Sequence, residues 1–279
     1  MIRIVTDSSS DISPLLAAEL GITVMPIRIS FGPRVYSDGV NIDRNEFYQQ
    51  LSKSRFTPIA EPPPPEEFQQ VYSELMENTD QVLSIHLSSK LNKTVQAAQE
   101  ATRAFLGRSK ITVFDSRMIS WGLETLVVAA AEAARRGTSL PEIVRLIRGM
   151  IPRLYMVFFV ESLEYLERHV HFPKGRAIAD SFPGPRPLMI IDEGEIVPLD
   201  KVRSRGRPVD RLFEFIAEFA HFEKVAILQG RSSDDAQMLF ERLSDTFPRK
   251  SLEIKPYGAT LATYLGPDAL GVVVYEGVE

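Results

Sequence analysis

Short polar segments rich in hydroxyl groups follow three apolar runs in the first half of the sequence. They are Thr6-Asp7-Ser8-Ser9-Ser10, Ser88-Ser89 and Asp115-Ser116. In a parallel sheet the carboxyl ends of the strands lie at one edge, where ligands characteristically bind. A helix that begins just after Ser89 would add free amides and the positive end of its dipole, which favour an anion. The pattern predicts a polar site at this edge, although Ser, Thr and Asp are also ordinary N-cap residues.

Asp7 and Asp115 carry the best enzymatic alternative. Two carboxylates at strand ends could hold Mg²⁺ for a phosphotransferase or a hydrolase. The same aspartates would serve equally well as N-caps. The sequence has no P-loop, no G-x-G-x-x-G, no G-x-S-x-G and no H-E-x-x-H motif. We therefore expect no catalytic residue, no metal and no cofactor.

Composition limits the class of protein further. The chain has 279 residues, a formal net charge of -5 and no cysteine. Without a basic face, binding to a nucleic-acid backbone is not expected. An aspartate at position 7 precedes any apolar core of signal-peptide length, and no apolar stretch reaches the roughly 20 residues that cross a bilayer. These features predict a cytoplasmic protein without membrane insertion.

The elements that must position the polar segments alternate between strands and helices. Apolar runs predict strands at Ile2–Val5, Ile22–Ile29, Val82–Leu87 and Ile111–Phe114. Helix starts are indicated between or after them by Ser13-Pro14, Asp43-x-x-Glu46, Pro65 and Ser139-x-x-Glu142. This alternation is typical of a parallel sheet with crossover helices. We predict an N-terminal α/β domain over residues 1–155.

The character of the sequence changes after Tyr155–Val160. Leu188–Ile191 and Ile196–Leu199 flank Asp192-Glu193-Gly194-Glu195, which is a hairpin signal and implies an antiparallel pair. Further strands are predicted at Val225–Leu228, Leu252–Ile254 and Val272–Tyr275, and helices at Val209–Phe222 and Asp234–Phe247. We predict a C-terminal α+β domain over residues 156–279 with a mostly antiparallel sheet.

Several segments, taken in order, resemble the DegV family of fatty-acid-binding proteins. Ile4-Val5-Thr6-Asp7-Ser8-Ser9-Ser10-Asp11 is similar to the family's V-T-D-S-x-x-D start, and the segment from Leu83 to Thr94 is similar to its I-S-S-x-L-S-G-T. Val113-Phe114-Asp115-Ser116 continues the likeness. The segment from Leu265 to Gly271 is similar to the family's H-T-G-P-G-x-x-G. The likeness extends over nearly the whole chain in one order and spacing.

The resemblance implies a two-domain protein that holds a fatty acid in a cleft between its domains. The carboxylate would be held by the N-terminal domain, and the C-terminal domain would line a tunnel for the acyl tail. The residues that the resemblance implicates in the ligand site are Thr57, Glu61, Ser88, Ser89, Asn92, Thr94 and Tyr264. A separate fatty-acid kinase is implied as partner, so that the binding protein itself would supply no catalytic residue.

The sequence departs from the family pattern at the headgroup. Ala60-Glu61 falls on the family's T-S, Asn92-Lys93 replaces S-G, and Tyr264 stands where histidine is usual. A glutamate about 4 Å from a bound carboxylate costs roughly 4 kcal/mol at an effective dielectric of 20. Glu61 could turn outward, Thr57 and Lys93 could rebuild the site, or the ligand could lack a free carboxylate. We favour an outward Glu61 with a rebuilt site.

The basic cluster of the second half has two interpretations. It consists of Lys201, Arg203, Arg205, Arg207 and Arg211. A solvated loop and helix start would explain it, whereas the resemblance suggests a docking surface for an acidic partner, centred on Arg203 and Arg205. A third function also stays open, an interaction protein that kept the fold and lost the ligand. In that case Glu61 and Tyr264 would fill the headgroup site.

Overall fold

The chain consists of two compact units. The computed structural model describes residues 2–79, 81–105, 107, 110–160, 164–169, 188–199, 207–231 and 233–277. The units comprise Met1–Ile151 and Pro152–Glu279. The sequence predicts a boundary near residue 155.

The first unit is an α/β structure. Its strands are β1 (Arg3–Asp7), β2 (Ile22–Met25), β3 (Arg28–Phe31), β4 (Arg34–Ser37), β5 (Ile59–Glu61), β6 (Gln81–His86) and β7 (Lys110–Asp115). Its helices are α1 (Pro14–Leu20), α2 (Arg44–Lys53), α3 (Pro65–Met76), α4 (Thr94–Ala101), α5 (Trp121–Arg135) and α6 (Leu140–Met150). Four strands form a parallel sheet in the order β2-β1-β6-β7. The predicted parallel α/β architecture is confirmed.

The prediction of one strand over Ile22–Ile29 was wrong. β2 ends at Met25, and β3 begins at Arg28 in a different sheet, which is antiparallel and has the order β4-β3-β5. Pro26 separates the two strands, and it has no amide hydrogen for a ladder. The amide of Ile27 instead donates to the hydroxyl of Ser8 at 3.0 Å. The chain therefore leaves the parallel sheet at the proline.

Helices α3 and α4 bury one face of the parallel sheet. Val5 and Val82 point into a cluster with Phe68, Tyr72 and Ala98, all of which are buried. Burial of an aromatic side chain of this size contributes about 1.5–3 kcal/mol relative to exposure. Because side chains alternate along a strand, Asp7 shares the face of Val5. The carboxylate of Asp7 therefore lies at the end of this buried face.

Helix α6 begins where the sequence predicts, directly after Ser139. The carboxylate of Glu142 accepts hydrogen bonds from the Ser139 hydroxyl at 2.6 Å and from its amide at 3.1 Å. The hydroxyl bond, followed by the amide bond, lowers the pKa of Glu142 below its ordinary value. A lowered pKa means that the stabilisation is present above the unfolded-state pKa and is lost as pH falls through the folded-state pKa.

We expect Ser139→Ala to raise the pKa of Glu142 towards the ordinary value, because the strongest hydrogen bond to the carboxylate is removed. Carboxyl-carbon NMR titration of both proteins measures this shift. The stability difference between them should also shrink as pH falls through the Glu142 pKa. An unchanged Glu142 titration would contradict this explanation of the helix start.

The second unit contains one large sheet. Its strands are β8 (Leu154–Phe159), β9 (Leu188–Asp192), β10 (Glu195–Pro198), β11 (Lys224–Gln229), β12 (Leu252–Pro256) and β13 (Leu270–Tyr275). Its helices are α7 (Glu164–His169), α8 (Pro208–Ala217), α9 (Asp234–Ser244) and α10 (Ala259–Leu265). The strand order is β10-β9-β8-β13-β11-β12, and every neighbouring pair except β11–β12 is antiparallel. The predicted α+β architecture is confirmed, including the hairpin at Glu193-Gly194.

The core of this unit lies between the sheet and helices α8 and α9. Val157, Val225 and Val272 of the sheet pack with Leu212 and Leu239 of the helices. The opposite sheet face is also apolar, since Met156, Phe158, Leu228 and Val273 are fully buried. A sheet with two apolar faces explains the nearly continuous hydrophobic runs of its central strands.

Tight packing explains the glycines in and near the segment that resembles H-T-G-P-G-x-x-G. Gly266 has a φ of +80°, and the ring of Tyr165 lies where its side chain would be. Gly271 lies under the ring of Phe158 on the neighbouring strand β8. At Gly230, directly after β11, a β-carbon would overlap with the carbonyl of Pro267 and the hydroxyl of Tyr257. This part of the motif has a structural reason within the second unit.

No helix in the described part of the chain is both long enough and apolar enough to cross a membrane.

Candidate functional site

Asp7 accepts several hydrogen bonds at the polar edge of the parallel sheet. Its Oδ1 accepts hydrogen bonds from the amide of Ser9, at 3.1 Å, and from the Ser9 hydroxyl. Its Oδ2 accepts from Nδ1 of His86 at 2.9 Å and from the amide of Leu87 at 3.1 Å. The Asp7 side chain is completely buried. Its carboxylate therefore joins the end of β1 to the end of β6.

A chain of buried hydrogen bonds continues from Asp7 into the sheet. Nε2 of His86 lies 2.7 Å from the hydroxyl of Ser84, which in turn accepts from the hydroxyl of Tyr72 at 2.8 Å. Burial raises the pKa of Tyr72, so its hydroxyl keeps its proton and can donate. The order Ser84, His86, Asp7 is that of a nucleophile, a base and an orienting carboxylate. The Ser84 hydroxyl is fully buried, however, so a substrate cannot reach it in this conformation.

Asp115 holds the end of β7 against the segment that follows β6. Its carboxylate accepts from the hydroxyl of Ser89 at 2.5 Å and from the amide of Ser89 at 3.2 Å. It also accepts from the amide of Arg117 at 3.0 Å. Both oxygens of Asp7 and of Asp115 therefore have protein donors, as N-cap carboxylates do. Among the described residues no group of three or more His, Asp and Glu side chains could hold a metal ion.

The predicted helix start just after Ser89 was wrong. The residues after Ser88 form a turn, because the Ser88 carbonyl accepts from the amides of Leu91 and Asn92 at 3.0 and 3.1 Å. The Ser88 hydroxyl accepts from the amide of Lys90 at 3.2 Å. Helix α4 begins only at Thr94. The amides that were expected to be free after Ser89 are thus used within the turn.

Asn92 connects the start of α4 to strand β5. Its Nδ2 donates to the carbonyl of Ala60 at 3.0 Å. Its Oδ1 accepts from the amide and from the hydroxyl of Thr94, at 3.0 and 2.8 Å. Both Asn92 and Thr94 are buried, whereas Lys93 between them is exposed. Two segments that depart from the family pattern, Ala60-Glu61 and Asn92-Lys93, are therefore in direct contact.

Glu61 is exposed, and its carboxylate accepts from the hydroxyl of Ser30 at 2.5 Å. Ala60, the preceding residue of β5, is buried and pairs with Ile29. Since side chains alternate along a strand, Ala60 and Glu61 point to opposite faces of the small sheet. Thr57 lies just before β5 and is half-buried.

The other predicted site residues fall elsewhere. Tyr264 belongs to helix α10 of the second unit and is buried. Its role in a headgroup site stays a prediction. Arg203 and Arg205 lie outside the described residues. Arg207 pairs with Asp210 at 3.6 Å on the surface, and Arg211 is buried in α8. At least one member of the basic cluster is therefore part of the packed structure.

Sequence reasoning missed the network formed by Tyr72, Ser84 and His86. A signal was present, since Ser84 and His86 alternate with the apolar residues Leu83, Ile85 and Leu87. Two polar side chains on the same face as Asp7 would have predicted a buried hydrogen-bonded group. Ser30, the partner of Glu61, gave no comparable signal, because a serine in a strand has no specific meaning.

Curated relatives of similar length match almost the entire chain. The model of the DegV family, described as uncharacterised proteins, matches residues 1–277. A DegV domain-containing protein of Caldanaerobacter subterraneus subsp. tengcongensis is 33% identical over 284 residues, with 99% of each chain covered. Another, from Deinococcus radiodurans, is 30% identical over 277 residues, with 98% of each chain covered.

Solved structures agree with this relationship. A DegV family protein from Thermus thermophilus, described as binding fatty acid, has a TM-score of 0.86 and 28% identity, with 99% of each chain covered. DegV of Bacillus subtilis, described as a fatty-acid-binding protein, has a TM-score of 0.87 and 27% identity. That comparison covers 98% of this chain and 99% of the other. The fold, the family model and the relatives agree, and this chain belongs to the DegV family.

Proposed function

We propose that this chain binds one long-chain fatty acid, or a similar single-acyl lipid, and carries it without transforming it. The proteins from Thermus thermophilus and Bacillus subtilis, which are described as fatty-acid-binding, support the ligand class. The observation within this chain that carries the proposal is the contact between Asn92 and Ala60. It brings together the two segments that, by the sequence resemblance, hold the carboxylate.

The headgroup site of this chain is a rebuilt version of the family's hydroxyl site. Nδ2 of Asn92 uses one N–H on Ala60 and has a second N–H that can donate to a carboxylate oxygen. The Lys93 ammonium, which is exposed beside it, supplies the positive charge that the family's S-G lacks. Thr57, Ser88, Ser89 and Thr94 complete the polar surroundings in this proposal.

Glu61 is compatible with this site because of its hydrogen bond. Its carboxylate accepts from Ser30 on the face opposite to Ala60. A Glu61 that faced the ligand would cost roughly 4 kcal/mol at 4 Å and an effective dielectric of 20. An acyl tail of palmitoyl length contributes on the order of 10 kcal/mol of gross burial, at roughly 0.8 kcal/mol per methylene. The tail therefore supplies most of the affinity, and the headgroup site sets its orientation.

We expect Lys93→Gln to weaken binding of a long-chain fatty acid by about tenfold, because one charge-assisted hydrogen bond is lost. Isothermal titration of delipidated protein with a saturated fatty acid measures this change. The matched control is Lys53→Gln, since Lys53 is also exposed but lies at the end of α2. The control should bind as the wild type does.

A fatty alcohol of the same chain length provides the second comparison. It buries the same tail and carries no charge, so Lys93→Gln should leave its affinity unchanged. If Lys93→Gln lost the same affinity for the acid and for the alcohol, Lys93 would not be part of the headgroup site. If the wild type bound neither compound, the proposed function itself would be wrong.

Two finer parts of the proposal rest on the sequence resemblance. One is that the acyl tail occupies a cleft between the domains, with Tyr264 near the headgroup. The other is that the bound acid is presented to a fatty-acid kinase through the segment containing Arg203 and Arg205. Both stay predictions. The alternative of metal-assisted chemistry at Asp7 and Asp115 is not favoured, since each of these oxygens already has a protein donor.

A further inference from the structure

The buried hydrogen-bonded chain formed by Tyr72, Ser84, His86 and Asp7, here called the Asp7 network, has no part in the contacts proposed for the ligand. It is fully buried and ends on the amide of Leu87, the residue directly before Ser88. We propose that the Asp7 network positions the turn from Ser88 to Asn92 for ligand binding, which makes Asp7 a positioning residue. This inference rests on the proposed function.

The direction of each hydrogen bond in the network follows from its members. The Tyr72 hydroxyl donates to Ser84, and the Ser84 hydroxyl keeps one hydrogen of its own, which it can donate to Nε2 of His86. Nε2 then accepts, and the ring proton is on Nδ1, which donates to Asp7. In this tautomer every hydrogen has an acceptor. We therefore expect the ring proton of His86 on Nδ1.

Asp7 controls where the chain goes after β6. Its Oδ2 holds both the ring of His86 and the amide of Leu87. The carbonyl of His86 accepts from the amide of Ser116, and the amide of Ser88 donates to Met118, at 3.1 and 2.9 Å. Together these hydrogen bonds fix the backbone of His86, Leu87 and Ser88, and so they fix where the turn that ends at Asn92 begins. A shift at Leu87 would thus be transmitted to Asn92 and Lys93.

The test is Asp7→Asn, which keeps the size of the side chain. The carboxylate of Asp7 accepts from two donors on each oxygen. Asparagine has only one acceptor oxygen, so the two donors on the other oxygen lose their acceptor. We expect fatty-acid affinity to fall by about tenfold, the equivalent of one well-placed hydrogen bond. The ring nitrogens of His86 should change their ¹⁵N chemical shifts, and the amide proton of Leu87 should move upfield.

The control separates positioning from a general loss of stability. Ile147→Ala truncates a fully buried side chain of α6 that is in neither the network nor the proposed site. Measured where both variants are fully folded, the control should bind fatty acid as the wild type does. An Asp7→Asn protein that keeps wild-type affinity, or a control that loses as much, would overturn the inference.

Two further results keep the test decisive. If Asp7→Asn does not fold, Ser84→Ala is the second variant, because it removes the hydroxyl next to Nε2 of His86. It must change both the ¹⁵N chemical shifts of the His86 ring and the affinity for fatty acid. If Ser84→Ala changes neither, the positioning role is wrong. A wild-type protein that binds no fatty acid would contradict the proposed function, whereas one that binds with His86 protonated on Nε2 would contradict only the Asp7 network.

Discussion

Alanine in place of Gly230 is expected to lower the free energy of unfolding of the second unit by about 3 kcal/mol. A β-carbon at this position would lie 2.2 Å from the carbonyl oxygen of Pro267 and 2.7 Å from the hydroxyl of Tyr257. Neither neighbour can move easily. The Pro267 carbonyl accepts from the amide of Arg231 at 3.1 Å, and the Tyr257 hydroxyl donates to Gly266 at 2.8 Å.

The matched control for Gly230→Ala is Gly149→Ala. Gly149 lies in helix α6, and a β-carbon there would meet nothing within 4 Å. Alanine is the better helix former, so this variant should be more stable by up to about 1 kcal/mol. Hydrogen exchange measured at increasing urea concentrations reports the stability of each unit separately and so measures both changes. Equal stability of the two variants would show that the neighbours of Gly230 can make room for a β-carbon.

Asn92→Ala is expected to have the second largest effect, a loss of about 2–3 kcal/mol from the first unit. The substitution leaves the carbonyl of Ala60 without its side-chain donor, and the amide and hydroxyl of Thr94 without their acceptor. These groups are in a buried environment, where an unsatisfied polar group is costly. Fatty-acid affinity should fall as well, because the start of α4 is no longer attached to β5.

Asn41→Ala is the corresponding control. Asn41 also uses its side-chain oxygen, accepting from the amide of Ser37 at 2.7 Å, but it does so in an exposed turn where water can replace it. We expect a loss of about 0.5–1 kcal/mol and no change in fatty-acid affinity. Thermal and chemical unfolding together with ligand titration test the pair. A full-size effect at Asn41, or none at Asn92, would contradict the role given to the Asn92 contacts.

The regular elements of this fold were predictable because their signals are local. The capping pair of Ser139 and Glu142 predicts the start of α6. The hairpin at Glu193-Gly194 is indicated by its turn residues, both of which have a positive φ. The small antiparallel sheet was not predicted, since β5 has only three residues and its pairing with β3 is non-local. Helix α10 was missed because all of its residues are buried, which removes the periodicity of an amphipathic helix.

The candidate site was predictable in its residue types and not in its bonds. The hydroxyl-rich edge follows from the sequence pattern, and the resemblance to the DegV family implicates Asn92 and Glu61. The partners of these residues depend on tertiary contacts between distant segments, such as Asn92 with Ala60 and Glu61 with Ser30. The helix start after Ser89 was misplaced for the same reason, since the Ser88 turn uses amides that the sequence pattern leaves open.

Native mass spectrometry of protein purified without added lipid tests most directly whether this chain carries an acyl ligand. We predict a bound mass equal to one long-chain fatty acid, which denaturing extraction releases unchanged. The Lys93→Gln protein should retain less of it, because the charged contact with the headgroup is lost. A ligand-free mass at every charge state, both as purified and after incubation with fatty acid, would contradict the proposed function.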